Sequence, residues 1–235
     1  MDKEMQRRGF LRLAATTAVG GALPWMSMAK AAYAKPTSAA ELDPDAALKE
    51  LLAGNARYVA RDAQIPVTSP VREDLSWGQT PRAIILSCSD SRVPPEIIFD
   101  QYRGELFIVR VAGNFVNDDG LASMEYATAV LGTRLVVVLG HSQCGAVDAT
   151  INYVKEGTPL PGHLPELIDA IKPAVEEVKG QPGNMLANAI AANAKLNAQK
   201  LASSTPLISK AVEKGQVKVV AGVYDLKSGK VDIFG

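Results

Sequence analysis

Cysteine is almost absent from this chain: two in 235 residues, accompanied by only two histidines. Two cysteines cannot build the disulfide framework of a small secreted domain, although they could form one bond. Net charge is missing too, with 25 basic residues set against 25 acidic ones. Without a basic excess or a run of like charge, nucleic acid is not an expected partner. Aromatic residues make up only 6% of the chain, but the hydrophobic total of 47% suits one compact domain with a real core. Internal repeats and low-complexity tracts are absent beyond the N-terminal segment.

That segment has a different character. Arg7-Arg8-Gly9-Phe10-Leu11 is followed by a mildly apolar stretch to about Met28, then by Ala32-Tyr33-Ala34. A basic start, an apolar middle and an A-x-A end are the parts of an export signal, and paired arginines before Gly-Phe-Leu resemble the twin-arginine type. A membrane anchor is the alternative, but Gly20, Gly21 and Pro24 interrupt the stretch. The expected organisation is therefore a signal over 1–34, a linker over 35–43 and one domain over 44–235. The expected location is outside the cytoplasm: the periplasm, or a thylakoid lumen if the source is cyanobacterial. Cleavage after Ala34 leaves a mildly acidic protein with no electrostatic reason to hold DNA or an anionic membrane.

Within the domain, Asp43-Pro44 reads as an N-cap followed by proline at the first helical position. Leu48, Leu51, Leu52, Tyr58 and Val59 then mark a helical face, weakened in its middle by Gly54. Continuous apolar runs at 83–86, 106–109 and 135–139 read as strands covered on both faces. A helical pattern over 120–131 separates the second from the third, which makes a βαβ unit and a parallel sheet. Helices are expected near 145–155, 164–179, 184–203 and 206–214, and strands at 217–220 and 230–233 around Ser228-Gly229. The expected class is α/β, a mostly parallel central sheet flanked by helices.

Both cysteines and one histidine fall just after two of those strands, in Cys88-Ser89-Asp90-Ser91-Arg92 and His141-Ser142-Gln143-Cys144. Open α/β sheets bind ligands at the carboxyl ends of their strands. Two thiols and an imidazole favour zinc, and three protein ligands leave a fourth position open for chemistry. Alternation along an extended segment would project Cys88, Asp90 and Arg92 together. The three-residue spacing of His141 and Cys144 suits a turn that opens a helix. Gly145 would let a backbone N–H approach whatever sits beside the metal. The competing readings are a Cys88–Cys144 disulfide and an inert Asp90–Arg92 surface pair. His163 lies between two prolines with no partner motif and reads as a surface histidine.

At these residues the sequence resembles the β-class carbonic anhydrases. The likeness extends to Gly54-Asn55-Ala56-Arg57-Tyr58, Cys88 to Pro94, Gly104-Glu105-Leu106-Phe107, Arg110 with Ala112-Gly113-Asn114, Glu125-Tyr126, Gly140-His141-Ser142 with Cys144-Gly145, and Val223-Tyr224-Asp225-Leu226. It implies one zinc ion per chain held by Cys88, His141 and Cys144, with water or Asp90 in the fourth place. It implies reversible hydration of CO2 to bicarbonate and a proton by zinc-bound hydroxide, oriented by the Asp90–Arg92 pair. Gln79, Phe107 and Tyr126 match substrate-pocket positions that come largely from the neighbouring subunit. Ala112 and the Gly145 backbone complete the pocket. The resemblance thus implies a homodimer or higher oligomer, with N-terminal helices packed on the partner subunit. Two departures stand out. Val111 replaces a common asparagine, and Ile85 replaces the tryptophan of a bicarbonate-switched subgroup, which implies that this subgroup's second bicarbonate pocket is absent. Two other functions fit the same residues: a COS or CS2 hydrolase on this scaffold, and a non-catalytic zinc or bicarbonate binder.

Overall fold

The computed structural model describes residues 43–64 and 75–234. The expected export signal and nearly all of the linker lie outside them. Five strands form one sheet: β1 (Ala83–Ser87), β2 (Leu106–Arg110), β3 (Leu135–His141), β4 (Lys218–Tyr224) and β5 (Val231–Phe234). Their order is β2-β1-β3-β4-β5. The first four run parallel, and β5 is antiparallel to β4. The sheet is mostly parallel, as the apolar runs predicted.

The burial pattern explains those runs. Every residue of β1 and β3 is buried, because both sheet faces are covered. One face carries Ile85, Val137 and Leu139 against α1 (Pro44–Val59), α4 (Gly145–Glu156) and α5 (Leu164–Glu177). The other carries Ile84, Leu86, Val136 and Val138 against α3 (Asp118–Ala129) and α7 (Leu207–Glu213). The long α6 (Met185–Ala202) serves both, with Ala189 and Ile190 in the first cluster and Ala194, Ala198 and Leu201 in the second. Strand β2 forms one edge and is only partly covered. Among the described residues no helix is long and apolar enough to cross a membrane.

The clearest departures from expectation are one unannounced helix and two strands that run on, β3 and β4, the latter expected at 217–220 and spanning Lys218–Tyr224. A short helix α2 (Pro95–Ile98) lacks the length to show a periodicity, and the sequence gives no sign of it. Strand β3 runs on through Gly140 to His141, because pairing with Val223 and Tyr224 continues past the last aliphatic residue. The N-terminus of α1 follows prediction: the Asp43 carboxylate accepts from the Ala46 N–H at 3.2 Å, with Pro44 next in the chain.

Gly54, read from the sequence as a weak point of α1, has a packing role. A Cβ there would lie 1.9 Å from the Phe99 carbonyl oxygen. Its neighbour Asn55 is buried and satisfied by backbone alone. Its Nδ2 donates to Ile98 O at 3.0 Å and Gly229 O at 2.8 Å, and its Oδ1 accepts from Val231 N at 2.9 Å. Arg57 Nε donates to Asp100 Oδ2 at 2.5 Å. The Gly-Asn-Ala-Arg-Tyr motif is therefore a clamp that joins α1, the segment after α2 and the β4–β5 hairpin. Gly54→Ala improves helix propensity by about 1 kcal/mol, but the backbone clash outweighs it. A net loss of about 1–3 kcal/mol is expected in urea unfolding, as for other overpacked sites.

Candidate metal centre

Parallel pairing of β1 with β3, from Ile84↔Val136 to Ser87↔Leu139, brings the two motif-bearing strand ends side by side. Cys88 leaves β1, His141 ends β3, and Cys144 is the N-cap of α4. Gln143, between the last two, adopts φ +55°. The Cys88 and Cys144 sulfurs and a His141 ring nitrogen all lie within 4.8 Å of one another, and all three side chains are buried. Both cysteines are free thiols, so the disulfide alternative is not what this structure shows.

The imidazole is oriented for ligation. His141 Nδ1 lies 2.9 Å from the Ser142 carbonyl oxygen and donates to it, which leaves the Nε2 lone pair bare. Nε2 is buried and has no hydrogen-bond partner. A buried orphan beside two thiols is costly unless something electrophilic meets it. The two sulfurs need the same thing. The hydrogen bond shared with Cys144 brings the Cys88 thiol down to about 4, helped by the Gly113 N–H, against the upward push of burial. That same bond and burial push Cys144 up. A divalent cation would take the place of the shared proton and satisfy both sulfurs and Nε2. The donor set S, S, N is that of a zinc site with one open position.

The Asp90–Arg92 pair sits at the edge of this cluster. Arg92 Nε donates to Asp90 Oδ1 at 2.9 Å and Nη2 to Oδ2 at 2.7 Å. The Arg92 backbone N–H adds a bond to Oδ1 at 2.9 Å. These bonds hold the Asp90 carboxyl well below the usual carboxylate range, the guanidinium being the main cause. Asp90 Oδ2 lies 3.9 Å from His141 Nε2. The carboxylate is thus turned to Arg92, outside the three-ligand cluster. The expected alternation along 88–92 is corrected: the Val93 N–H donates to Asp90 O, so the chain turns instead of extending. Asp90 caps its own turn, a local bond that favours bending over a strand.

The remaining predicted site residues separate into two groups. Ala112 precedes Gly113, whose N–H donates to Cys88 Sγ at 3.3 Å. Gly145 opens α4, and a Cβ there would meet no atom within 4 Å, so room is left beside the site. Phe107 and Tyr126 instead pair with each other, ring centroids 6.4 Å apart. Phe107 packs on the cluster across the sheet from the one that holds Cys88 and Cys144. Gln79 is half-buried ahead of β1. His163 is an exposed helix cap 3.2 Å from Glu166, as the sequence suggested.

Two residues were missed as site elements. Arg110, at the end of β2, donates from Nε to Cys88 O at 2.9 Å and from Nη2 to Asp90 O at 2.6 Å. Ser142 donates its N–H to Tyr224 O at 2.8 Å and accepts from the Leu226 N–H at 2.9 Å, while its carbonyl holds His141. Their partners are mostly backbone atoms, which leave no mark in a sequence.

An open, mostly parallel sheet whose carboxyl edge gathers two thiols and an imidazole defines an α/β protein with a candidate metal centre. The carbonic anhydrase family profile matches residues 83–231. Carbonic anhydrase 2 of Mycobacterium tuberculosis is 45% identical over 134 residues, 57% of this chain and 65% of that protein's length. The carbonic anhydrase of Mycolicibacterium smegmatis is 34% identical over 192 residues, 81% of this chain and 93% of that one. Among solved structures, the β-carbonic anhydrase CcaA aligns with a TM-score of 0.62 at 27% identity, over 80% of this chain and 95% of that one. A tetrameric β-carbonic anhydrase of Sordaria macrospora shares the fold, with a TM-score of 0.64 at 23% identity over 80% of this chain and 96% of that one. The chain belongs to the carbonic anhydrase family, in its β class.

Cys144→Ser is expected to leave the purified mature protein with well under one zinc per chain by elemental analysis. Stoichiometric zinc in that variant would contradict the ligand assignment.

Proposed function

We propose that this chain catalyses the reversible hydration of carbon dioxide to bicarbonate and a proton, with zinc held by Cys88, His141 and Cys144. The observation that carries the reading is the bare, buried His141 Nε2 among two thiols, with a carboxylate tied by an arginine 3.9 Å away. When bound, zinc makes water a usable source of hydroxide near neutral pH.

The chain's own residues do the positioning. Arg92 grips both carboxylate oxygens of Asp90 in a fork, which fixes the carboxylate plane. A carboxylate so held accepts the hydrogen of the attacking oxygen and aims a lone pair at the substrate carbon. Arg92 Nη2 also reaches Gln143 O at 3.3 Å, so the pair is fastened to the loop between His141 and Cys144. Arg110 holds the carbonyls on either side of Ser89 and keeps Asp90 at its distance from the cluster. The open space at Gly145, with small Ala112 next to Gly113 in sequence, leaves room for a small, linear substrate.

The same reading takes the active unit to be a dimer or higher oligomer of this chain. Phe107, Tyr126 and Gln79 would then line the pocket of the neighbouring copy. Their support is the placement of Phe107 across the sheet from its own chain's cysteines, on a partly covered edge strand. We also take the twin-arginine segment to direct export to the periplasm or a comparable lumen. A folded protein carried by that route would arrive with both thiols already committed to metal. Arg7→Lys with Arg8→Lys should keep the protein in the cytoplasm on cell fractionation; unchanged export would end that reading.

The function is tested by stopped-flow CO2 hydration on the mature chain, with zinc content, mass in solution and COS turnover measured alongside. Arg92→Ala should keep its zinc and lose most CO2 turnover, because the unheld carboxylate is then free to swing onto the cluster. Full hydration activity in that variant would remove Asp90–Arg92 from the mechanism, and COS turnover exceeding CO2 turnover would reassign the substrate. The pH dependence has a definite sign. A carboxyl with a depressed folded pKa contributes its stability above the ordinary carboxylate range and loses it only as pH falls through that lower value. Asp90 therefore stays ionised across the working range. Turnover should rise from neutral into mildly alkaline pH with no acid limb from Asp90.

A further inference from the structure

Helix α6 carries asparagine at 193 and 197 and lysine at 200, a spacing that lines one helical face. Asparagine is a poor helix former, and both asparagines are buried. The three side chains act on one loop. Asn193 Nδ2 donates to Gly113 O at 2.7 Å. Asn197 Oδ1 accepts from Val116 N at 2.8 Å, and Lys200 Nζ donates to Val116 O at 2.8 Å. Asn197 Nδ2 donates back to Asn193 O at 2.9 Å and Oδ1 at 3.1 Å, which fixes the Asn193 amide with its donor toward Gly113.

Gly113 is the residue whose N–H donates to Cys88 Sγ. It sits at φ +80°, where a Cβ would meet Ile171 Cδ1 at 2.4 Å and Ala146 Cβ at 3.3 Å. The glycine is therefore packed against α4 and α5 and pinned on both sides, by sulfur at its N–H and by Asn193 at its carbonyl. An N–H aimed at a thiolate fixes the sulfur's position and takes up part of its charge, so its loss loosens the ligand and raises the energy of the sulfur lone pairs.

We propose that Asn193 is a positioning residue for the metal centre, holding the Gly113 amide on the Cys88 sulfur and so setting the strength of the metal–sulfur bond. Asn197 and Lys200 hold the far side of the same loop. The proposal rests on the Cys88–His141–Cys144 reading above. It concerns residues far from the two sequence motifs, and it makes α6 part of the site.

The test uses the mature protein loaded with zinc, cobalt(II) or cadmium. In the wild type, NMR of the cadmium form should show coupling between the Gly113 amide proton and the bound cadmium, carried through the N–H···S bond. Asn193→Leu removes the donor, and Asn193→Asp turns it into an acceptor facing the Gly113 carbonyl while keeping size. Both should weaken zinc affinity in chelator competition by about tenfold or more, the usual effect of losing an outer partner of a ligand. Both should also move the sulfur-to-cobalt charge-transfer band to longer wavelength, a change that a loss of fold stability alone does not produce. If the wild-type protein binds no metal at these three residues, the metal reading fails and this inference with it. If it binds metal but lacks the Gly113 coupling, or a folded Asn193 variant keeps wild-type band and affinity, the inference alone is overturned. Should neither variant fold, the wild-type coupling decides.

Discussion

The site depends on the parallel pairing of β1 with β3. Without the Ser87↔Leu139 register, Cys88 and His141 belong to unrelated loops. Parallel pairs need a long crossover, supplied here by β2, α3 and their loops, and they need cover on both faces. Both demands are met by aliphatic residues: β1 and β3 are fully buried, and helices from both sides close over them. The chemistry then occupies the one place such a sheet leaves open, where the strands end and their loops depart.

Around that point the protein spends few side chains on reaction and many on orientation. Cys88 receives a bond from Gly113 at its sulfur and from Arg110 at its carbonyl. His141 is turned by the Ser142 carbonyl, and Ser142 in turn is held by the β4 end and the hairpin beyond it. Asp90 is fixed by three bonds from Arg92. Supporting groups of this kind set ligand geometry and basicity as much as the ligands do. Among the buried polar atoms left without a partner in the described residues, His141 Nε2 is the one that belongs to the three-residue cluster.

The parts legible in the sequence were those with a periodicity or a scarce residue behind them. Three apolar runs marked the central strands because both faces are covered, and the chain's only cysteines marked two members of the buried cluster. Other parts left no such trace. Helix α2 is too short to show a period, and β3 continues through a glycine and a histidine that hydropathy does not favour. Alternation along 88–92 misled because an aspartate that caps its own backbone bends the chain. Gly54 looked like a helix defect because its reason, the Phe99 carbonyl, lies on a different element. Arg110, Ser142 and Asn193 bind carbonyl oxygens, which every residue has. Phe107 was expected to line a neighbour's pocket; it packs on the sheet face opposite its own cysteines.

The hold of β4 on Ser142 also sets an order of events during synthesis. The serine hydroxyl accepts from the Leu226 N–H, 84 positions later in the chain. At ~5–20 residues per second, the ribosome delivers that partner on the order of ten seconds after Ser142 itself. Until then Ser142, whose carbonyl holds the His141 ring, lacks its anchor on the C-terminal hairpin, although both cysteines have already been made. A nascent chain therefore carries its two thiols and its imidazole for an interval before the C-terminal support of the cluster has been made.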